Sequence, residues 1–219
     1  TSSSQNMKKH FNQFAHWLKE KYLRSGSKLI EVGSNDGTLL ENFKNSNIDV
    51  IGFEPSKTIA ELANKKNIKT LNKFFNFQNL EEINSFHSSV DVICSANVIA
   101  HIPDLKDVIK CVDKLLSSKG LLIFEEPYLG SMFSKISYDQ IYDEHIFMFS
   151  VNSIKKIFDL FDFELIDVLP QVTHGGSMRY IVARKNKHKK SEIVSKFLDE
   201  EQSKKLDTIE SCLKFKKAC

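Results

Sequence analysis

The densest group of ionisable and aromatic residues lies between Tyr138 and His145. Two tyrosines, three acids and a histidine fall within eight residues there. His145 is a candidate general base, because an imidazole titrates near neutrality and can accept a proton at cellular pH. Glu144 beside it, or Asp143, could hold the ring and stabilise its cation. Tyr142 could donate to an oxygen that gains negative charge during reaction. A surface loop with a structurally hydrogen-bonded histidine fits the same residues.

A second group surrounds a glycine turn. Lys28 to Leu40 reads KLIEVGSNDGTLL. Leu29 to Val32 form a short buried strand. Gly33-Ser34-Asn35-Asp36-Gly37 have little side-chain bulk, and Thr38, Leu39, Leu40 and Phe43 follow at helical spacing. A strand, a glycine turn and a helix at the edge of a parallel sheet let a ligand approach the backbone. The dinucleotide fingerprint needs a third glycine that is absent here, and Glu31 and Asp36 would repel a pyrophosphate. Acids suit a ligand with a positive centre and an ammonium group, such as S-adenosylmethionine (SAM). Glu54 ends a second apolar run, Val50 to Phe53, and is placed to take both hydroxyls of an adenosine ribose. The expected cofactor residues are therefore Glu31, Gly33, Asn35, Asp36, Gly37, Thr38, Glu54, Pro55 and Ser56. A tight loop without a ligand is the alternative for the glycines alone.

Other candidates lie where strands end. Phe75, within Phe74-Phe75-Asn76-Phe77, could flank an adenine ring or pack in the core. Asn97 and His101 leave the fourth strand at the edge where ligands sit, and His101 suits a structural or cofactor-edge role. Tyr128 follows the fifth strand. His174, Gly175 and Arg179 could bind an anionic substrate group, since an arginine fork grips phosphate. A plain turn with an exposed arginine is the other reading.

The elements that must position these groups follow from periodicity. Residues 1 to 7 are polar and could cap a helix, and Lys8 to Leu23 carry an amphipathic stripe. Strands are expected at Leu29–Val32, Asp49–Glu54, Ile68–Leu71, Val90–Cys94 and Leu121–Glu125. Helices after the glycine turn, from Pro55–Ser56 to about Lys66, and over Leu105 to Leu116 alternate with them. A helix over Ile154–Phe161 and two strands, Phe163–Leu169 and Met178–Arg184, complete the pattern, joined by His174-Gly175-Gly176-Ser177. The reading is α/β: a doubly wound, mostly parallel seven-stranded sheet with an antiparallel last strand. Residues 185 to 219 are lysine-rich with sparse apolar positions and suit one or two surface helices, with a solvated face favoured over a nucleic-acid patch.

Composition narrows the classes. The 219 residues carry a net charge of +3 and are 41% hydrophobic, which sets no expectation of nucleic acid or membrane as partner. No apolar run is long enough to span a bilayer, and no signal-type segment opens the chain. Cys94, Cys111, Cys212 and Cys219 lack metal-ligand spacing and read as reduced thiols of a cytoplasmic protein, so no metal is expected. Position 1 is Thr, which suggests a segment of a longer protein and leaves an upstream targeting segment open.

Taken together, EVGSNDGTLL, GFEPS, SANVIAHIPDL, EEPYLG, YDQIYDEHIFMFS and HGGSMRY resemble the SAM-dependent sugar C-methyltransferases, which act on nucleotide-linked keto-deoxysugars. The resemblance runs from about residue 1 to 185. Its first half is shared by many class I methyltransferases; YDQIYDEHIFMFS and HGGSMR are more specific. It implies a class I methyltransferase domain over 1–185, with 186–219 as a helical extension or the start of a further domain. In the family a small zinc-binding domain precedes this one, and the parts outside the present chain contribute to the sugar site. The resemblance also implies that Tyr142, Glu144 and His145 line the active site with His145 as base. Where Asp143 stands, the family often has histidine, a departure that alters local charge. The implied reaction is removal of a proton beside a ketone, followed by methylation of that carbon. An O-methyltransferase, a non-catalytic SAM-binding piece and, more weakly, a nicotinamide dehydrogenase are the alternatives.

Overall fold

The computed structural model describes residues 4–219; residues 1–3 of the expected polar cap lie outside the described residues. Its seven strands form one sheet in the order β3-β2-β1-β4-β5-β7-β6. The strands are β1 (Lys28–Val32), β2 (Asp49–Phe53), β3 (Thr70–Leu71), β4 (Val90–Ala96), β5 (Leu116–Pro127), β6 (Phe163–Gln171) and β7 (Ser177–Arg184). The sheet is mostly parallel, and β6 and β7 run antiparallel with a register shift between Leu165 and Asp167. The chain divides into two compact units. One holds the residues up to Ser95 together with Asp104–Leu122; the other holds Ala96–Pro103 and Ile123–Cys219.

In the first unit, α1 (Gln5–Lys21) starts at Ser4, whose side chain accepts from the Met7 amide and so satisfies one free donor of the first turn. β1 pairs in parallel with β2 and β4, Ile30 standing opposite Ile51 and Ile93. These three side chains are fully buried. α2 (Lys57–Lys65) and α3 (Leu105–Leu115) connect strands, and Asp104 caps α3 by accepting from the Asp107 amide. The expected helix after the glycine turn is only a 3-10 turn, Leu40–Phe43. Asn42 explains the difference: its side-chain amide donates to the carbonyls of Thr38 and Leu39, which a continuing α-helix would need for its own amides. The segment Phe77–Phe86, not expected from periodicity, is two 3-10 pieces merged across a kink at Ile83. β5 starts at Leu116, directly after α3, so the expected turn over Ser117–Gly120 is extended strand.

The second unit is built on the end of β5 with β6 and β7. Phe124 stacks on Tyr180 at 5.1 Å and packs near Phe158, forming its apolar centre. α4 (Leu129–Lys135), hidden in the sequence behind Pro127, follows β5. α5 (Val151–Asp159) opens on a reciprocal Ser150–Ser153 capping box. α6 (Glu192–Ser203) packs on α5 and β6, and α7 (Ile209–Ala218) has no buried residue. The lysine-rich segment thus holds two helices, of which α6 buries Val194 and Glu201.

Candidate active site

The glycine turn in the first unit is held over the end of β2. The amides of Gly33 and Ser34 both donate to the Phe53 carbonyl, at 2.8 and 3.0 Å. Gly52 makes this possible, since a Cβ there would clash with Ser34 Oγ. Gly37 adopts φ +77° with its missing Cβ directed at Ile68.

Four carboxylates or carbonyls of this turn are used differently. Glu54 is buried, and its Oε1 and Oε2 accept from the amides of Ser56 (2.8 Å) and Asn35 (3.1 Å). Each oxygen therefore retains lone-pair capacity for a further donor. Glu31 is also buried, and its Oε2 has no hydrogen-bond partner among the described residues. Burial, followed by the nearby charge of Asp36, pushes its carboxyl well above the ordinary range. Asp36 is tied down instead: Thr38 Oγ1 donates to it at 2.6 Å and Lys66 pairs with it at 3.5 Å. Asn35 takes φ +49°, and its side-chain oxygen accepts from the Asp36 amide. Pro55 and Ser56 are exposed ahead of α2. Phe75 is buried with its ring edge-on to Phe53 at 5.2 Å, while Phe74 and Phe77 are exposed. Of that aromatic cluster, the core-packing reading describes Phe75.

Asn97 and His101 belong to the second unit, which also holds the histidine loop. His145 Nδ1 lies 2.8 Å from the Gln140 carbonyl, and Nε2 lies 2.9 Å from the Tyr142 hydroxyl. A carbonyl only accepts, so Nδ1 carries the hydrogen. The neutral ring then has its lone pair on Nε2, where Tyr142 donates. The orienting group is thus the Gln140 backbone and not the expected Glu144 or Asp143, both of which are exposed. Burial and then the charges of Glu144 and Glu126 raise the Tyr142 phenol, which keeps its proton on as a donor. His101 packs against His145, ring centroids 4.9 Å apart. The main chain locks this contact: the amides of Ile146 and Phe147 donate to the Ala100 carbonyl at 3.0 and 3.2 Å. Asn97 has φ +57°, its amide donates to the Glu125 carbonyl, and its side-chain oxygen is buried without a partner among the described residues.

The remaining candidates are engaged by the protein itself. Arg179 is buried, and its Nε and a terminal nitrogen both reach Glu125 Oε1, at 2.7 and 2.5 Å. The alternative of an exposed arginine does not hold. The Tyr128 hydroxyl donates to Glu201 at 2.9 Å, and Glu201 also accepts from the amides of Val151 and Asn152 at the start of α5. Burial and that carboxylate push the Tyr128 phenol far up. His174 and Gly175 are exposed on a turn with positive φ at His174, Gly175 and Gly176. Gln140, Glu126 and Glu201 escape a sequence reading because nothing in their spacing marks them. Glu126 and Glu201 accept from backbone amides that the fold brings to them, and Gln140 lends its own carbonyl to the His145 ring.

Among the described residues no group of three or more His, Cys, Asp or Glu side chains is placed to hold a metal, and no helix is long and apolar enough to cross a membrane. Cys94 and Cys111 are buried, Cys212 and Cys219 are exposed, and none of the four is in a disulfide.

A doubly wound sheet with a glycine turn after β1 and an acid at the end of β2 defines a class, and sequence comparison agrees. Residues 5–168 match the methyltransferase domain family, to which this chain belongs. Residues 172–219 match the C-methyltransferase C-terminal domain. The particular similarity is to the C-methyltransferase NovU of Streptomyces niveus, 32% identical over 182 residues, which are 83% of this chain and 43% of that protein. An uncharacterised methyltransferase of Oceanobacillus iheyensis is 30% identical over 129 residues, 57% of this chain and 58% of that protein. The chain spans about half the length of the curated relatives it matches. Among solved structures, the fold resembles the magnesium protoporphyrin IX methyltransferase of Synechocystis with bound S-adenosylhomocysteine (SAH). The TM-score is 0.62, with 14% identity over 82% of this chain and 84% of that one. It also resembles the methyltransferase bound to the Trm112 activator of Haloferax volcanii, with a TM-score of 0.63, 13% identity and coverage of 82% and 95%.

Proposed function

We propose that this chain is the SAM-binding, proton-abstracting part of a C-methyltransferase that acts on a nucleotide-linked keto-deoxysugar. The observation that carries the reading is the tautomer of His145, with its basic Nε2 capped by the Tyr142 hydroxyl.

SAM fits the first unit. Glu54 retains lone pairs suited to two ribose hydroxyls, and the unpaired Oε2 of Glu31 is suited to an ammonium. The open backbone of Gly33 to Gly37, with Asn35, supports the approach of the amino-acid part. Asp36 and Thr38 hold the turn's shape for it, together with Lys66. When bound, the cofactor supplies an electrophilic methyl on a sulfonium.

The rest is the work of this chain's own side chains. A ketone acidifies the carbon beside it, and His145 Nε2 takes that proton once the acceptor displaces the Tyr142 hydroxyl. The same hydroxyl then donates to the ketone oxygen as charge builds there. The Gln140 carbonyl, bonded to Nδ1–H, stabilises the imidazolium. Glu144 assists at a distance by keeping Tyr142 protonated. Tyr128 and Arg179 act by fixing α5 and β7, and His174 with Gly175 faces the acceptor. Residues 1–185 form the methyltransferase domain and 186–219 its helical extension in this proposal, which also places the protein in the cytoplasm.

The test is His145→Ala in the full-length protein. Turnover should fall by about 10²–10⁴-fold with SAH affinity retained. The product formed by the parent should carry its new methyl on carbon by NMR. A variant that turns over normally removes His145 as base, and a methyl found on oxygen replaces the reading with an O-methyltransferase.

A further inference from the structure

Glu126 is fully buried near the end of β5, and no chemistry described so far uses it. Its Oε1 accepts from the amides of Val98 at 3.0 Å and Ile99 at 2.6 Å. These amides open the 3-10 turn Ile99–His101, and no side chain of the turn's own N-cap residue satisfies them. One residue further on, the Ala100 carbonyl accepts from Ile146 and Phe147, the two residues that follow His145. The same turn ends in His101, whose ring lies against the His145 ring. A continuous line of bonds therefore runs from the Glu126 carboxyl, through two turn amides and one carbonyl, to the segment that carries the base.

We infer that Glu126 is a positioning residue for His145: it anchors the Val98–His101 turn on which the His145 loop is hung. The inference rests, for its catalytic meaning, on the reading of His145 as base. Its structural content stands without that reading. An apolar side chain at this site would leave two amides without their acceptor, one of them in the buried Ile99. The turn would then loosen, and with it the Ala100 carbonyl that fixes Ile146 and Phe147. A shift of about 1 Å in a catalytic group can cost on the order of a hundredfold in rate. Gln matches the geometry, because its side-chain carbonyl can accept both amides. The other Glu126 oxygen has no partner among the described residues, so the Gln amide displaces no existing bond.

The experiment is amide hydrogen exchange on the full chain as Glu126→Val, Glu126→Gln and parent, with SAH calorimetry as a control on the first unit. In Glu126→Val, protection of the Ile146 and Phe147 amides should fall by about tenfold or more, while Ile30 in β1 keeps its protection. Glu126→Gln should retain protection at both loop amides. In the full-length enzyme, Glu126→Val should lower kcat at unchanged KM for SAM, and Glu126→Gln should restore it. Unchanged loop protection in Glu126→Val overturns the inference, as does equal loss in Val and Gln variants. If Glu126→Val also loses protection at Ile30, Glu126→Asp decides, because its carboxyl is one methylene short of the turn. Loss confined to the loop supports the anchor and unchanged loop protection refutes it. A fully active His145→Ala beside a loosened loop in Glu126→Val would sink the base assignment and leave the anchor standing.

Discussion

Replacing Arg179 by Met separates two accounts of the most conspicuous cation near the histidine-glycine turn. In the structure its side chain is 7% exposed and that of Glu125 is 1% exposed, with two guanidinium nitrogens on one carboxylate oxygen. Removing the arginine leaves Glu125 without its guanidinium in a place that water cannot reach. Breaking a buried pair from one side costs about 3–5 kcal/mol, most of it the cost of the stranded charge. For a chain of this size each kcal/mol moves the thermal midpoint by about 2–4 °C, so the drop should be on the order of 10 °C. The double variant Glu125→Leu/Arg179→Met removes the stranded charge and should recover most of that loss, because the desolvation of both ions disappears with them. Circular dichroism melts of parent, single and double variants give the comparison. A single variant within about 1 kcal/mol of the parent, or a double variant no better than the single, would refute the account. An arginine whose task is to grip an anionic group of the acceptor predicts the opposite pattern: an unchanged melt and a raised KM for that acceptor.

Glu54→Ala should weaken SAH binding by about 10²–10⁴-fold by calorimetry, the loss expected for two hydrogen bonds to a carboxylate, and an unchanged affinity would remove Glu54 from the site. Tyr142→Phe should lower kcat by roughly 10²-fold with SAH affinity intact, as for loss of one donor to a developing oxyanion. Glu126 sets a pH dependence: burial, and less so Glu125, lifts its carboxyl to about 8 against the lowering effect of the Val98, Ile99 and Ala100 amides. The folded protein thus holds this proton more tightly than the unfolded chain. The resulting stability is present below the ordinary carboxylate range and is lost as pH rises toward about 8. Urea titrations across that window should show a declining stability that flattens in Glu126→Gln, and equal slopes in both proteins would contradict it.

The sheet was legible because its strands are apolar runs punctuated by glycine and polar turns, a signal that the buried pairs Ile30, Ile51 and Ile93 obey directly. Failures came where side chains compete with the backbone. Asn42 has ordinary helical spacing behind it, yet it takes two carbonyls and stops the α-helix at a 3-10 turn. At Ser117 to Gly120, polar and small residues read as a turn, but the chain passes straight from α3 into an extended strand. His145 and Tyr142 stand out in the sequence by type and proximity, and in the structure they meet, Nε2 lying 2.9 Å from the phenol oxygen. The partner of Nδ1 does not stand out, since a backbone carbonyl such as that of Gln140 has no sequence signature. His101 meets His145 through main-chain bonds between residues far apart in sequence, from Ile146 and Phe147, just after His145, to Ala100, just before His101.

The acids show why counting charges near a turn overstates the number available to a ligand. Asp36 and Glu54 look equivalent in sequence, but Lys66 and Thr38 occupy Asp36, whereas Glu54 is held by two amides that leave each oxygen room for another donor. Glu201 was one acid among many in a lysine-rich tail. Buried, it joins the Tyr128 hydroxyl to the first amides of α5, where the helix dipole favours a negative charge. Glu125 and Glu126 are adjacent, and strand alternation sends them to opposite faces of β5. One meets a guanidinium and the other meets a turn. What distinguishes a structural carboxylate from a ligand-binding one here is whether its oxygens retain unfilled lone pairs after the fold has formed. By that criterion Glu31 Oε2 and both Glu54 oxygens keep acceptor capacity, whereas Asp36 is engaged by Thr38 and Lys66.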